Sequence, residues 1–308
     1  MNNELILHHY DGSPFSEKVR FMLGFKGLAW RSVKVPVIMP KPDVVALTGG
    51  YRKTPFMQVG ADIYCDTALI ARLLEARAPT PSLFPASAPL APLLAQWADS
   101  TMFWTIIPYT MQPAGLAHRF AGAPPEMLKA FAADRAPFTA GMTRQTVADA
   151  TANLPSQLAA LNTQLADGRA FLLGADASVA DFAVAHCLWY VQSGGPVAAI
   201  LDRHTHLLAW LARVQAFGHG SPQKMASEEA LAIAARATAH APCAVAAGLG
   251  FEVGQAVTVM PTDYGRDPVG GTLVGLDGDE VVIRRSDERA GTVHVHFPRA
   301  GFHIKAEK

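Results

Sequence analysis

Residues His8 to Gly27 read HHYDGSPFSEKVRFMLGFKG, and the rest of the chain is understood from them. An apolar segment, Leu5-Ile6-Leu7, leads in with the character of a strand. Asp11-Gly12 marks a turn. Ser13 then stands where a helix N-cap belongs, and Pro14 takes the first helical position, where its missing N–H costs nothing. Val19, Met22, Leu23 and Phe25 follow among Glu17, Lys18, Arg20 and Lys26, which predicts an amphipathic helix with one apolar face. A hydroxyl is thereby held at the positive end of a helix dipole. Such an end favours an exposed anion by about 0.3–1 kcal/mol and lowers the pKa of a thiol placed there. Taken alone, Ser13 reads as an ordinary cap.

Working outward, residues up to about 78 follow the order β-α-β-α-β-β-α. Glu4–His9 predicts the first strand, and Trp30–Val35, which alternates, the second. Lys41-Pro42-Asp43 through Leu47 predicts a short helix closed by Gly49-Gly50. Phe56–Val59 and Ile63–Cys65 predict two short strands around Gly60-Ala61-Asp62, and Asp66 or Thr67 caps a third helix over Ala68–Ala76. Thr54-Pro55 belongs at the start of its strand, where a cis bond would turn the backbone groups of Thr54 outward for pairing with an extended peptide. Asp66-Thr67 at a helix start offers amides and a hydroxyl to a carboxylate, and a carboxylate to an ammonium. Cys65 reads as a small buried apolar residue.

Composition narrows the function classes. The 308 residues allow one large domain or two to three smaller ones, and half of them are apolar. With 26 basic against 26 acidic residues and no basic patch, neither nucleic acid nor a membrane surface is expected as a partner. Three scattered cysteines, Cys65, Cys187 and Cys243, make no disulfide framework and show no metal-ligand spacing, which fits a reducing cytoplasm. The start, MNNELILHHYDG, lacks a basic segment and a long apolar core, so no signal peptide is expected. Ser100–Ala117 carries prolines, Gln112 and threonines, and reads as a buried helix rather than a membrane span.

Four local motifs in order carry a resemblance: S-P-F-S at the first helix, K-P-D before the second, T-P before the third strand and D-T before the third helix. Together they resemble the thioredoxin-fold domain of cytosolic glutathione transferases, nearest the omega and zeta classes. The resemblance implies glutathione as co-substrate. Ser13 would be the catalytic residue, donating a hydrogen bond to the glutathione thiolate. Thr54, before Pro55, would pair with the cysteinyl amide. Asp66 and Thr67 would hold the γ-glutamyl end and Lys41 the glycyl carboxylate, with Phe15 beside them. A hydroxyl forms no mixed disulfide, so thiolate stabilisation is favoured over glutaredoxin-type reduction. The reaction would be attack on a small electrophile, or a zeta-like isomerisation.

Pro79–Pro85 lies in an expected linker at 79–88, after a thioredoxin-fold domain at 1–78. Residues 89–242 read as an all-helical domain, with helices over Leu90–His118 (broken near Pro108 and Pro113), Pro125–Ala136, Gln145–Asp167, Val179–Val191 and His206–Phe217, and a tail at Ser221–His240. Ser178 and Asp181 form a capping box, a folding element that the resemblance also implies. An acceptor pocket between domains is expected from Phe15, Met102, Phe103, Trp104, Tyr109 and Met111.

From Phe251 the period switches to two, with strands expected at Ala256–Met260, Val269–Val274, Glu280–Arg284 and Thr292–Phe297 and a turn at Asp277-Gly278-Asp279. Residues 243–308 are therefore expected to form a small β-barrel of Src-homology-3 type, beyond the reach of the resemblance. His294 and His296 share a strand face with no carboxylate at ligand spacing, so no metal is expected there. The competing function is a non-catalytic scaffold that recruits a partner through this barrel. Homodimerisation is implied by the resemblance alone.

Overall fold

The structure, a computed structural model, describes residues 4–307. Met1, Asn2, Asn3 and Lys308, at the outer limits of the expected segments 1–78 and 243–308, lie outside the described residues. Strand β1 (Ile6–His9) leads through the Asp11-Gly12 turn to helix α1 (Pro14–Phe25), capped by Ser13, whose Oγ accepts from the Ser16 amide at 3.1 Å. Strand β2 (Ala29–Lys34), helix α2 (Pro42–Thr48), strands β3 (Phe56–Val59) and β4 (Asp62–Cys65) and helix α3 (Thr67–Arg77) complete the thioredoxin-like order. Gly49 closes α2 at φ 76°, where a side chain would be strained and would strike Arg285. Thr54-Pro55 is cis, as are Met39-Pro40 and Thr80-Pro81.

The helical layer comprises α4 (Ala91–Trp97), a π-helical turn (Ala98–Met102), α5 (Phe103–Thr110), α6 (Pro113–Arg119), α7 (Pro125–Phe138), α8 (Val147–Gln164), α9 (Val179–Gln192) and α10 (Thr205–Gln215). The expected breaks near Pro108 and Pro113 fall together at Met111-Gln112: α5 runs through Pro108 and ends at Thr110, and Pro113 opens α6. Next, Ser221–Lys224 forms strand β5 beside β2, and α11 (Ser227–Arg236) packs against α2 and β2. This segment thus joins the thioredoxin sheet rather than the helical layer.

The tail strands are β6 (Ala256–Pro261), β7 (Val269–Leu276), β8 (Glu280–Asp287), β9 (Gly291–Pro298) and β10 (Phe302–Ala306). They do not close into a barrel. Strand β9 pairs in parallel with β4, Asp62 opposite His294 and Tyr64 opposite His296. The edge that closure would need is taken by the thioredoxin domain, giving one continuous sheet in the order β10-β6-β7-β8-β9-β4-β3-β1-β2-β5. The expected separate Src-homology-3-like barrel is thereby corrected to an extension of the first domain's sheet.

Two large cores explain this arrangement. One joins α1 and α3 to the helical layer through Phe21, Met22, Leu74, Met102, Leu158 and Phe182. The other joins α2, β3 and β4 to the tail through Leu47, Phe56, Ile63, Val281, Val295 and Phe297. The first overturns the expectation of one apolar face on α1. Glu17, Lys18, Arg20 and Lys26 are all buried, because α1 is clasped between α3 and α9. Each cation has an anionic partner: Lys18 with Asp99, Arg20 with Glu17 and Lys26 with Glu75. Gly24 completes the clasp, since a Cβ there would meet the Gly218 carbonyl oxygen at 2.1 Å.

The Ser178–Asp181 box is present and extends further than a cap. Asp181 Oδ2 accepts from the Ser178 amide at 2.8 Å and its hydroxyl at 3.0 Å. Oδ1 accepts from the Leu172 amide at 2.8 Å and from Trp210 Nε1 at 2.9 Å. One buried carboxylate therefore ties α9 to α10 and to the preceding loop. Among the described residues, no helix is long and apolar enough to cross a membrane.

Candidate active site

The start of α1, the turn before β3 and the start of α3 converge because β1, β3 and β4 are neighbours in the sheet. Ser13 is 2% exposed, and its hydroxyl points to the Thr54 carbonyl oxygen at 3.4 Å, a long and weak hydrogen bond. Asp66 sits at φ 76° as the cap of α3 and accepts from the Ala68 amide at 2.9 Å. Burial raises the pKa of its carboxyl, against the pull of Lys53. Thr54, Pro55, Asp66 and Thr67 line a cleft of about 640 Å³, with Phe15, Lys18 and Lys53 on its walls.

Behind the cleft runs a buried polar chain. Lys18, 1% exposed, donates from Nζ to Thr67 Oγ1 at 3.1 Å and to Asp99 Oδ2 at 2.5 Å. Asp99 Oδ1 lies 2.9 Å from His186 Nε2. Burial opposes ionisation of Asp99, but Lys18 and His186 hold its carboxyl below the usual range. Burial lowers the pKa of His186, outweighing its bond to Asp99. Asp99 occupies the π-helical turn, where the altered winding aims its side chain back at α1. Little in the sequence marks this chain: Lys18 is one of the charged residues among the apolar ones of α1, and Asp99 is a lone acid in an apolar stretch.

The tail supplies a wall of the same cleft. Thr262, Asp263, Tyr264, Gly301 and Phe302 line it. Lys53 Nζ pairs with Asp263 Oδ1 at 2.6 Å and lies 4.0 Å from the centre of the Tyr264 ring. Tyr264 also meets Trp104 edge-on and Phe138 at an angle, and burial pushes its phenol pKa well up. Local motifs could not reveal this wall, because the residues lie about 200 positions from the rest of the site.

The other expected site residues are distributed differently. Lys41 is buried beside Asp134, Arg135 and Arg52 rather than in the wall of the cleft. Burial, with repulsion from Arg135, brings its pKa down to about 8. Of the expected acceptor-pocket residues, Phe15 lines the cleft and stacks at an angle on Phe103 and His186. Met102, Phe103 and Tyr109 are buried, Tyr109 donating to the Val197 carbonyl oxygen at 3.2 Å. Trp104 is half-buried against Tyr264, and Met111 lines a separate apolar hollow with Leu116, Phe120 and Phe131. The expectation of no carboxylate near His294 and His296 is corrected: parallel pairing of β4 with β9 brings Asp62 Oδ1 to 3.1 Å from His296 Nε2.

Comparisons with known proteins agree with this architecture. The family model for the glutathione S-transferase N-terminal domain matches residues 7–82, and that for the C-terminal domain matches residues 144–213. A GST-like protein from Pseudomonas syringae is 41% identical, with 100% of both chains covered and a TM-score of 0.82. The chain belongs to the glutathione S-transferase family. The full-length match includes the tail sheet, which lies outside both family models. A glutathione S-transferase from Rhodospirillum rubrum F11 is 22% identical over 68% of this chain and 87% of that one, with a TM-score of 0.53. Beta-etherase LigF from Sphingobium sp. strain SYK-6 is 18% identical over 70% and 96%, with a TM-score of 0.51. At those identities the two share the fold. No curated protein matches the chain.

Proposed function

We propose that the chain is a glutathione transferase-type enzyme that binds glutathione along the cleft and uses Ser13 to stabilise its thiolate. The observation that carries this reading is the convergence of three groups: the Ser13 hydroxyl, the Thr54 backbone before cis-Pro55, and Asp66-Thr67 at the start of α3. Asp66 takes the γ-glutamyl ammonium. The Thr67 hydroxyl and the first amides of α3 take the adjoining carboxylate, with Lys18 Nζ donating to the Thr67 hydroxyl from behind. Thr54 pairs with the cysteinyl backbone. The Ser13 proton leaves its weak bond to Thr54 at little cost and turns to the sulfur.

The thiol proton passes to solvent, and the thiolate attacks an electrophilic carbon. The S–C bond forms as the leaving group departs with its electron pair. A zeta-like isomerisation would use the same thiolate. The tail wall at Asp263, Tyr264 and Phe302 then selects the electrophile, which ties the added sheet to substrate choice rather than to partner recruitment alone. Family membership supports a homodimer working in the cytoplasm. Calorimetry with glutathione tests the reading: binding at or below millimolar concentration is expected, and no heat and no thermal shift at that concentration would overturn it.

A further inference from the structure

At the end of β4 away from the cleft, three histidines from distant parts of the chain surround one carboxylate. Asp62 Oδ1 lies 3.4 Å from His240 Nδ1 and 3.9 Å from His294 Nδ1. Ligand atoms of Asp62, His240 and His294 all fall within 4.8 Å of one another. The Nδ1 atoms of both His240 and His294 are buried with no hydrogen-bond partner. A buried imidazole nitrogen with nothing to bond costs free energy, so two of them beside one carboxylate call for an explanation.

We propose that Asp62, His240 and His294 bind a divalent first-row transition metal, zinc above all, which clips the tail sheet to the thioredoxin domain. Two imidazole nitrogens and a carboxylate oxygen suit zinc, with water completing a tetrahedron. Metal–ligand bonds of about 2.0–2.2 Å place tetrahedral ligand atoms about 3.3–3.6 Å apart, close to the 3.4 Å seen for Asp62 and His240. Outer contacts hold the carboxylate ready. The Ala241 amide donates to Asp62 Oδ2 at 2.9 Å, and His296 Nε2 meets Oδ1 at 3.1 Å while its Nδ1 faces Glu280. Such partners orient first-layer ligands in metal sites.

The His240 and His294 rings stack with centroids 3.7 Å apart. Parallel rings cannot both point a lone pair at one ion, so loading turns His240 out of the stack. It can turn because it lies in the irregular segment between α11 and β6. The three ligands come from β4, that segment and β9. A bound ion would therefore add a tie at the joint where the tail meets the first domain.

The experiment uses the full untagged chain, stripped with chelator and titrated with zinc against a chromophoric chelator. One equivalent bound at submicromolar affinity is expected. Cobalt in its place should give the visible absorption of a tetrahedral site. His240→Ala and His294→Ala should each weaken zinc binding by at least about 100-fold, more than loss of an outer partner costs. Failure of the wild-type chain to bind one equivalent overturns the proposal. So does binding that survives His240→Ala unchanged, which would mark adventitious capture by surface histidines. His240 lies off the regular elements, so this variant decides the matter even if His294→Ala fails to fold.

Discussion

Strand β4 carries a polar cluster at each end, and the two clusters were written into the chain in different ways. At its C-terminal end, Cys65 runs into Asp66 and Thr67, which line the cleft with Thr54, whose carbonyl oxygen the buried Ser13 hydroxyl meets. Each of these sits in a short motif of its own. At its N-terminal end, Asp62 meets His240, His294 and His296, none of which has a motif. Asp62 and Asp66 are four positions apart, about 13 Å at about 3.3 Å per residue. The first cluster uses helix starts, whose orphan amides are properties of local sequence. The second uses strand pairing across the length of the chain, which only folding supplies.

The largest expected effect is at the cleft end. Ser13→Ala should lower turnover by about 100-fold, the loss seen when one donor to a developing anion is removed. Affinity for S-hexylglutathione, which has no thiolate, should stay within about threefold. An equal loss of affinity would return Ser13 to the role of a cap. Next in size, Asp66→Asn should weaken glutathione binding by about 10-fold or more, the scale of a charge-assisted hydrogen bond. Asparagine still caps α3, so the thermal midpoint should barely move.

A cross-test asks whether the two ends of β4 are independent. Glutathione affinity in His240→Ala and zinc affinity in Asp66→Asn should each change by no more than about twofold, since separated sites usually add within about 0.3–0.5 kcal/mol. A larger shift would mean that the tail sheet transmits between them.

The smallest effect is a pH dependence at Lys41. Its pKa of about 8 in the folded chain lies below the ordinary 10.5. The folded protein therefore binds fewer protons than the unfolded one between those values, and stability rises with pH across that window. Because Lys41 lies outside the wall of the cleft, affinity for S-hexylglutathione should barely change from pH 7 to pH 9 as Lys41 loses its charge. Lys41→Met should remove the rise in stability and lift the thermal midpoint at pH 7. A several-fold fall in affinity over that range, abolished by Lys41→Met, would return the glycyl carboxylate to Lys41.

How far the sequence could be read depended on the reach of each interaction. The Ser13 cap, the cis Thr54-Pro55 turn, the start of α3 and the Ser178–Asp181 box were legible, because each closes within a few residues. Lys18 was not legible: the amphipathic pattern sets it among the charged residues of α1, but the fold buries it and Asp99 neutralises the charge. The tail strands were legible from their alternation, as was the Asp277-Gly278-Asp279 turn between β7 and β8. Their closure was not: a period of two shows which face is apolar but not which edge finds a partner.

By itself, then, the sequence determined the order of elements, the caps and turns, and the residues that stand at the helix starts. The physical reason is that backbone hydrogen bonding and side-chain period act over short separations. Only the tertiary structure decided that β9 would pair with β4, that Asp263 and Tyr264 would wall the cleft, and that three histidines would meet Asp62. Those contacts follow from burying the apolar faces of α2, β3, β4 and the tail in one core, which brings together residues about 180 to 230 positions apart.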